Sequence, residues 1–141
     1  MVIYAISEAA ERCRIRYVGI AQDAERRLAE HVAHRDGRYR FAVWLKNVLE
    51  ADGYLAGYRI ETVSSEMASE AERYWIRALL ADGHPLLNEV HTSWKAMRQP
   101  LPDYAPSVRF APELTEPDFA WPFSWLGVSR LIALEKRAMR P

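Results

Sequence analysis

Val2-Ile3-Tyr4-Ala5-Ile6-Ser7 and Arg14-Ile15-Arg16-Tyr17-Val18-Gly19-Ile20 decide how this chain folds. In the first run Val2, Tyr4 and Ile6 fall on one face and Ile3 and Ala5 on the other, which is the period of a strand. The second run alternates in the same way and groups Ile15, Tyr17 and Gly19. Polar residues Glu8 to Arg12 separate the two runs, so the pair predicts an antiparallel hairpin with a long loop. Two tyrosines, Tyr4 and Tyr17, then stand on neighbouring strands.

Further along, the period changes to that of helices. Asp23 is placed to cap a helix running to about His34, with Ala24, Leu28 and Val32 as its apolar stripe. Arg27 and His31 are four apart and share the flank beside that stripe. Asp36-Gly37 breaks the pattern. A second helix is expected from Tyr39 to Ala51 with Val43, Trp44, Val48 and Leu49 inward, followed by a third strand from Tyr58 to Val63. Ser64-Ser65 offers a cap for a helix over Glu66 to Ala81, whose apolar line is Ala68, Ala71, Trp75, Ile76 and Leu79. Glu72 falls at the centre of that line. A carboxylate on an inward stripe is costly unless a metal, a cation or a polar cleft receives it.

Six of the eight prolines lie between Pro100 and Pro122, interspersed with aromatic residues. That composition excludes a long helix or a central strand there, and is too aromatic for a plain disordered linker. The expected architecture is therefore α/β of the α+β kind. A small domain, residues 1–91, builds a three-stranded antiparallel sheet flanked by helices. A Pro/Trp-rich extension, residues 92–141, packs on that core or mediates interactions, and ends in a helix from about Ser124 to Met139.

The 141 residues are 50% apolar and 11% aromatic, enough for a substantial core in one domain. The single cysteine, Cys13, excludes an internal disulfide and a cysteine-based zinc cluster, and fits a cytoplasmic location. No basic segment followed by an apolar one marks a signal peptide, and no apolar run approaches the ~20 residues that span a bilayer. Basic and acidic residues balance at 19 each, against a protein that coats nucleic acid through bulk positive charge. A local basic face remains open: Arg14, Arg16, Arg26, Arg27, Arg35, Arg38 and Arg40 crowd the span between Cys13 and Phe41. Arginine grips phosphate with a planar fork; ordinary solvated surface is the alternative.

The ordered set Val2-Ile3-Tyr4, Tyr17-Val18-Gly19, Arg27, His31, Glu72 and Asn88 resembles the GIY-YIG nuclease superfamily over about residues 2–90. Tyr17-Val18-Gly19 is followed by a short turn, then an arginine, three residues and a histidine; Glu72-Arg73-Tyr74-Trp75-Ile76 resembles the family's glutamate helix, and Leu87-Asn88 its closing asparagine. Val2 stands where the family has its first glycine, and the loop Ala5 to Arg16 is slightly long. The resemblance implies a divalent-metal-dependent endonuclease hydrolysing DNA phosphodiester bonds, with 5′-phosphate and 3′-hydroxyl products.

It also implies roles. Tyr17 is the general base, its phenolate favoured by Arg27 and a metal; packing on Ile15 is the bland alternative. Tyr4 orients Tyr17 or the water. Arg27 clamps the scissile phosphate, the other reading being an ion pair with Asp23, and neighbouring Arg26 is a further substrate contact that could be confused with it. His31 is a hydrogen-bonding or proton-relay group. Glu72, rather than Glu70 on the opposite side of the helix, holds Mg²⁺ or Mn²⁺. Asn88 is a local structural or a phosphate contact. The partner is duplex or branched DNA and no membrane; a transient homodimer or a partner protein could engage through the extension. A catalytically weak nucleic-acid-binding or assembly subunit with the same fold is the alternative function.

Overall fold

The computed structural model describes residues 1–122; the expected closing helix lies outside them. Among the described residues the sheet has four strands, β1 (Val2–Glu8), β2 (Tyr17–Ala21), β3 (Leu55–Thr62) and β4 (Phe119–Trp121), in the order β2-β1-β3-β4. Every pairing is antiparallel. The helices are α1 (Ala24–Ala33), α2 (Arg40–Glu50), α3 (Ala68–Ala81) and the single turn α4 (Trp94–Met97). The three expected strands are present. The fourth is a three-residue addition from the extension, too short to show a period between Pro117 and Pro122.

Alternation along β1 divides the core into two layers. Ile3 and Ala5 join Val18, Tyr58 and Ile60 against Ala71, Trp75, Ile76 and Leu79 of α3. Tyr4 and Ile6 join Leu55 and Phe119 against α1 and α2. Full burial of Ile76 or Leu79 contributes on the order of 1.5–3 kcal/mol each, so α3 is held firmly in register. The β1–β3 ladder shifts between Ile3 and Tyr4, a bulge that leaves the Tyr4 face aligned with α1.

Local chemistry explains most boundaries. The Asp23 carboxylate accepts from the Arg26 backbone N–H at 3.1 Å and starts α1, a cap worth about 1 kcal/mol. Helix α3 begins at Ala68 rather than Glu66 and has no side-chain cap; Ser64 instead closes a turn, its carbonyl accepting from Met67. It ends in a Schellman arrangement, with Gly83 at φ +90° and the His84 N–H donating to the Leu79 carbonyl. On α2 the buried face is Phe41, Ala42, Leu45 and Val48, while Val43 is exposed and Trp44 and Leu49 are only partly covered. Five consecutive apolar residues, Phe41 to Leu45, leave the phase of that helix to packing. Ile15 also departs from expectation. It precedes β2 and packs in the α3 layer, whereas Tyr17 faces α1 and α2.

The extension folds back on the sheet. Tyr104 and Phe110 pack against the α3 layer, and β4 pairs with β3 from Leu55 to Gly57. Its strongest tether is the buried Glu61 carboxylate, which receives hydrogen bonds from Trp75, Tyr104 and both the backbone and hydroxyl of Ser107. Burial disfavours the charge on Glu61, but these donors outweigh it and hold the carboxyl below its ordinary range.

Candidate active site

After the α3 cap the chain turns along the outer edge of β2. His84 Nδ1 accepts from the Ile15 N–H at 3.1 Å, the Leu87 N–H donates to the Arg16 carbonyl at 2.6 Å, and Asn88 closes the run. The Asn88 side chain accepts from the Val18 N–H at 3.0 Å and donates to the Val18 carbonyl at 2.7 Å. This run brings residues 87–90 and α3 beside β2 and α1. A pocket of about 530 Å³ opens where they meet, lined among others by Tyr17, Arg27, His31, Phe41, Glu72 and Asn88.

Tyr17 forms one wall. Its ring stacks on Phe41 with centroids 4.0 Å apart, and meets the His31 ring edge-on at 5.3 Å. Phe41, which the sequence did not single out as a site neighbour, is thus the backing plate of the tyrosine; its position at the start of a helix with an ambiguous phase hid it. Burial and the Glu72 charge push the Tyr17 phenol above its ordinary value, and Arg27 only partly offsets them. The expected ease of forming a phenolate is therefore not met by Arg27 alone, because the ring is largely inside the protein.

Tyr4 is wholly buried, and its hydroxyl lies 3.2 Å from His31 Nε2. Burial raises the Tyr4 phenol far above its normal range, and burial with the nearby Arg27 charge lowers the His31 imidazole to about 4. At neutral pH the phenol therefore keeps its proton and is hydrogen-bonded to a neutral imidazole. Gly19 makes this contact geometrically feasible. A Cβ there would lie 2.4 Å from the Tyr4 hydroxyl oxygen, so the ring crosses β2 at a point only glycine leaves open.

Arg27 reaches the pocket from α1 with its side chain half exposed, and Nη1 bonds Glu30 at 2.8 Å rather than Asp23. Arg26 points elsewhere. It is 80% exposed, sits 3.7 Å from Glu30 and does not line the pocket. Asn88 borders the pocket, and its amide is engaged at both ends with Val18, so it supports β2 at the pocket's edge.

Glu72 enters from α3 with its side chain 18% exposed, and burial raises its carboxyl. Its one ion-pair neighbour among the described residues is His91, with Nε2 3.5 Å from Oε1. Burial, then the Arg73 charge, lowers the His91 imidazole, so the carboxylate has little compensating charge. A partly buried carboxylate with an opening to this pocket suits a divalent cation that keeps several waters. Among the described residues no group of three or more His, Cys, Asp and Glu side chains could hold a metal, so closed sites of the structural zinc kind are not formed.

A small antiparallel sheet between helices thus presents a tyrosine, an arginine, a histidine and a glutamate to one pocket, with a second tyrosine buried behind it. The family model described as the GIY-YIG catalytic domain matches residues 1–84, and the chain belongs to this nuclease family. Its members are typically dependent on divalent metal and act on nucleic acid. No curated protein and no solved structure gave a significant match. Among the described residues no helix is long and apolar enough to cross a membrane.

Proposed function

We propose that the protein is an endonuclease that hydrolyses DNA phosphodiester bonds, with Tyr17 as general base, Arg27 as phosphate clamp and Glu72 as metal ligand. The observation that carries this reading is the convergence of Tyr17, Arg27, His31 and Glu72, from β2, α1 and α3, on one pocket. Tyr17 takes a proton from the attacking water, whose oxygen bonds to phosphorus as the bond to the 3′ oxygen breaks. Arg27 holds the phosphate and meets its developing charge. His31 and Tyr4 hold each other, keep water from the back of the Tyr17 ring and fix its position. Bound at Glu72, Mg²⁺ or Mn²⁺ supplies charge neutralisation at the phosphate and leaving oxygen and offsets the carboxylate that raises the Tyr17 phenol. The products are a 5′-phosphate and a 3′-hydroxyl.

Duplex or branched DNA both suit this reading. A double-strand cut needs two copies or two sequential nicks, and Trp94 on the extension, 74% exposed, offers an anchor for a second copy or a partner. A reducing, cytoplasmic setting suits the sole cysteine.

The test is nicking of supercoiled plasmid and of a labelled branched duplex in Mg²⁺, Mn²⁺ or EDTA. Metal-dependent cleavage is expected, absent in Glu72→Gln and reduced about 10²–10³-fold in Arg27→Ala, the usual range for one charge-stabilising donor. Cleavage by both variants at the parent rate refutes the mechanism. Binding without cleavage by the parent favours the second reading, a nucleic-acid-binding or assembly subunit, to which the raised Tyr17 phenol lends support.

A further inference from the structure

His91 lies outside the matched span and has no part in the mechanism above, yet the fold takes trouble over it. Its backbone sits at φ +65°, a left-handed conformation uncommon for a residue that carries a side chain. The surroundings here are specific. Asn88 is bonded to Val18 at both ends of its amide, its carbonyl accepts from Arg40 Nη2 at 3.0 Å and from the Thr92 hydroxyl, and the chain between Asn88 and Thr92 is thereby closed into a tight loop. His91 is the residue before that closure, and the left-handed turn directs its imidazole back to α3, where Nε2 stands 3.5 Å from Glu72 Oε1.

We propose that His91 is a second ligand, through Nε2, for the divalent cation held by Glu72, and that this site prefers Mn²⁺ or another nitrogen-tolerant divalent ion over Mg²⁺. The proposal rests on the reading of Glu72 as the metal-binding carboxylate. Two donors about 2.0–2.2 Å from one cation lie roughly 3.0–3.5 Å apart at tetrahedral or octahedral angles, so the observed separation accommodates one ion between them with little movement. The tautomer with its proton on Nδ1 turns the Nε2 lone pair toward the carboxylate. Imidazole nitrogen suits Zn²⁺, Fe²⁺ and Ni²⁺ best and is accepted by Mn²⁺ at the weak end of the same series, whereas Mg²⁺ favours oxygen alone. With two protein ligands, the remaining positions fall to water and substrate phosphate, which keeps the site open.

The test uses the whole chain without nucleic acid and reads binding, not cleavage. Mn²⁺ is titrated and followed by electron paramagnetic resonance, with pulsed measurements reporting any directly bonded nitrogen; Mg²⁺ is titrated by calorimetry. The variant is His91→Gly, which relieves the left-handed backbone and so should fold at least as well as the parent. The parent should show a bonded imidazole nitrogen. His91→Gly should lose that signal and bind Mn²⁺ at least about tenfold more weakly, with Mg²⁺ affinity nearly unchanged. Glu72→Gln should weaken both ions. A parent that binds no Mn²⁺, or binds it without a nitrogen signal and with the same affinity as His91→Gly, overturns the proposal. If in the latter case Glu72→Gln still abolishes binding, the role of Glu72 stands and only that of His91 falls. Mn²⁺ binding untouched by Glu72→Gln removes both.

Discussion

Gly19→Ala tests whether the tyrosine pair depends on an open backbone. At a position compatible with alanine, replacing glycine usually stabilises a protein by about 0.4–1 kcal/mol, because the unfolded chain loses freedom. Here the structure reverses the sign. The new Cβ would stand 2.4 Å from the Tyr4 hydroxyl oxygen and 2.5 Å from its Cζ. Tyr4 is 1% exposed and cannot swing outward. To restore ordinary contact its ring must retreat by about 1 Å or more, which takes the hydroxyl out of reach of His31. Overpacking of this kind costs roughly 1–3 kcal/mol and the lost hydrogen bond a further 0.5–1.5. Set against the alanine gain, a net loss of about 0.5–4 kcal/mol lowers the melting temperature by roughly 2–15 °C for a chain of this size. Thermal unfolding followed by circular dichroism measures the drop, and His31 imidazole shifts in NMR report the broken contact. Tyr4→Phe in the same background removes the nearest atom but leaves Cζ, so it should recover only part of the loss, and the double-mutant cycle should show coupling. A Gly19→Ala protein that melts within about 2 °C of the parent with unchanged His31 resonances would refute the reasoning.

Three further outcomes follow from the site and its tether. Tyr17→Phe keeps the stack on Phe41, so it should fold as the parent while plasmid nicking falls about 10²–10⁴-fold, the range for a lost general base; retained nicking assigns the base elsewhere. NMR titration of His31 should give an apparent value near 4. Because the folded value lies below the unfolded one of about 6.5, its contribution to stability is present above that pH and lost as pH falls toward 4; chemical denaturation at several pH values, compared with His31→Gln, measures it, and identical curves would count against it. Glu61→Gln should loosen the extension and raise protease cutting within residues 98–118. The depressed Glu61 carboxyl stabilises the fold above the unfolded value of about 4.3 and loses that contribution as pH falls through its folded value, so the gap between parent and variant should close in acid; a constant gap would exclude the charge as its origin.

Much of the architecture is legible in short-range pattern. The β1 alternation separates the two core layers because each strand residue has only two directions to face. The α3 stripe reads correctly because Ala68, Ala71, Trp75, Ile76 and Leu79 are spaced by polar residues that fix its phase. The same spacing singles out Glu72 as a carboxylate drawn inward. The face of α2 was not legible, because Phe41 to Leu45 supplies apolar side chains in every direction and the contact with Tyr17 decides among them. Strand β4 depends on pairing with β3 across more than fifty residues of chain, which no local period encodes. The orientation of His91 depends on a left-handed backbone beside the Asn88–Thr92 closure, and the modest enrichment of histidine in that conformation is too weak to mark it in the sequence. The raised Tyr17 phenol is likewise a property of its enclosure, not of its neighbours in sequence.

The engagement of Asn88 with Val18 also bears on how the margin of the sheet is closed. Its amide offers one donor and one acceptor in the pattern of a peptide group, so a single side chain stands in for the next strand at the outer margin of β2. At the opposite margin, β4 occupies β3 for three residues. Margins left bare in this way recruit strands from other chains and seed aggregates. The run from His84 to Asn88 on one side and three residues on the other are a sparing defence, and they give the same asparagine a part in both the shape of the pocket and the closing of the sheet margin.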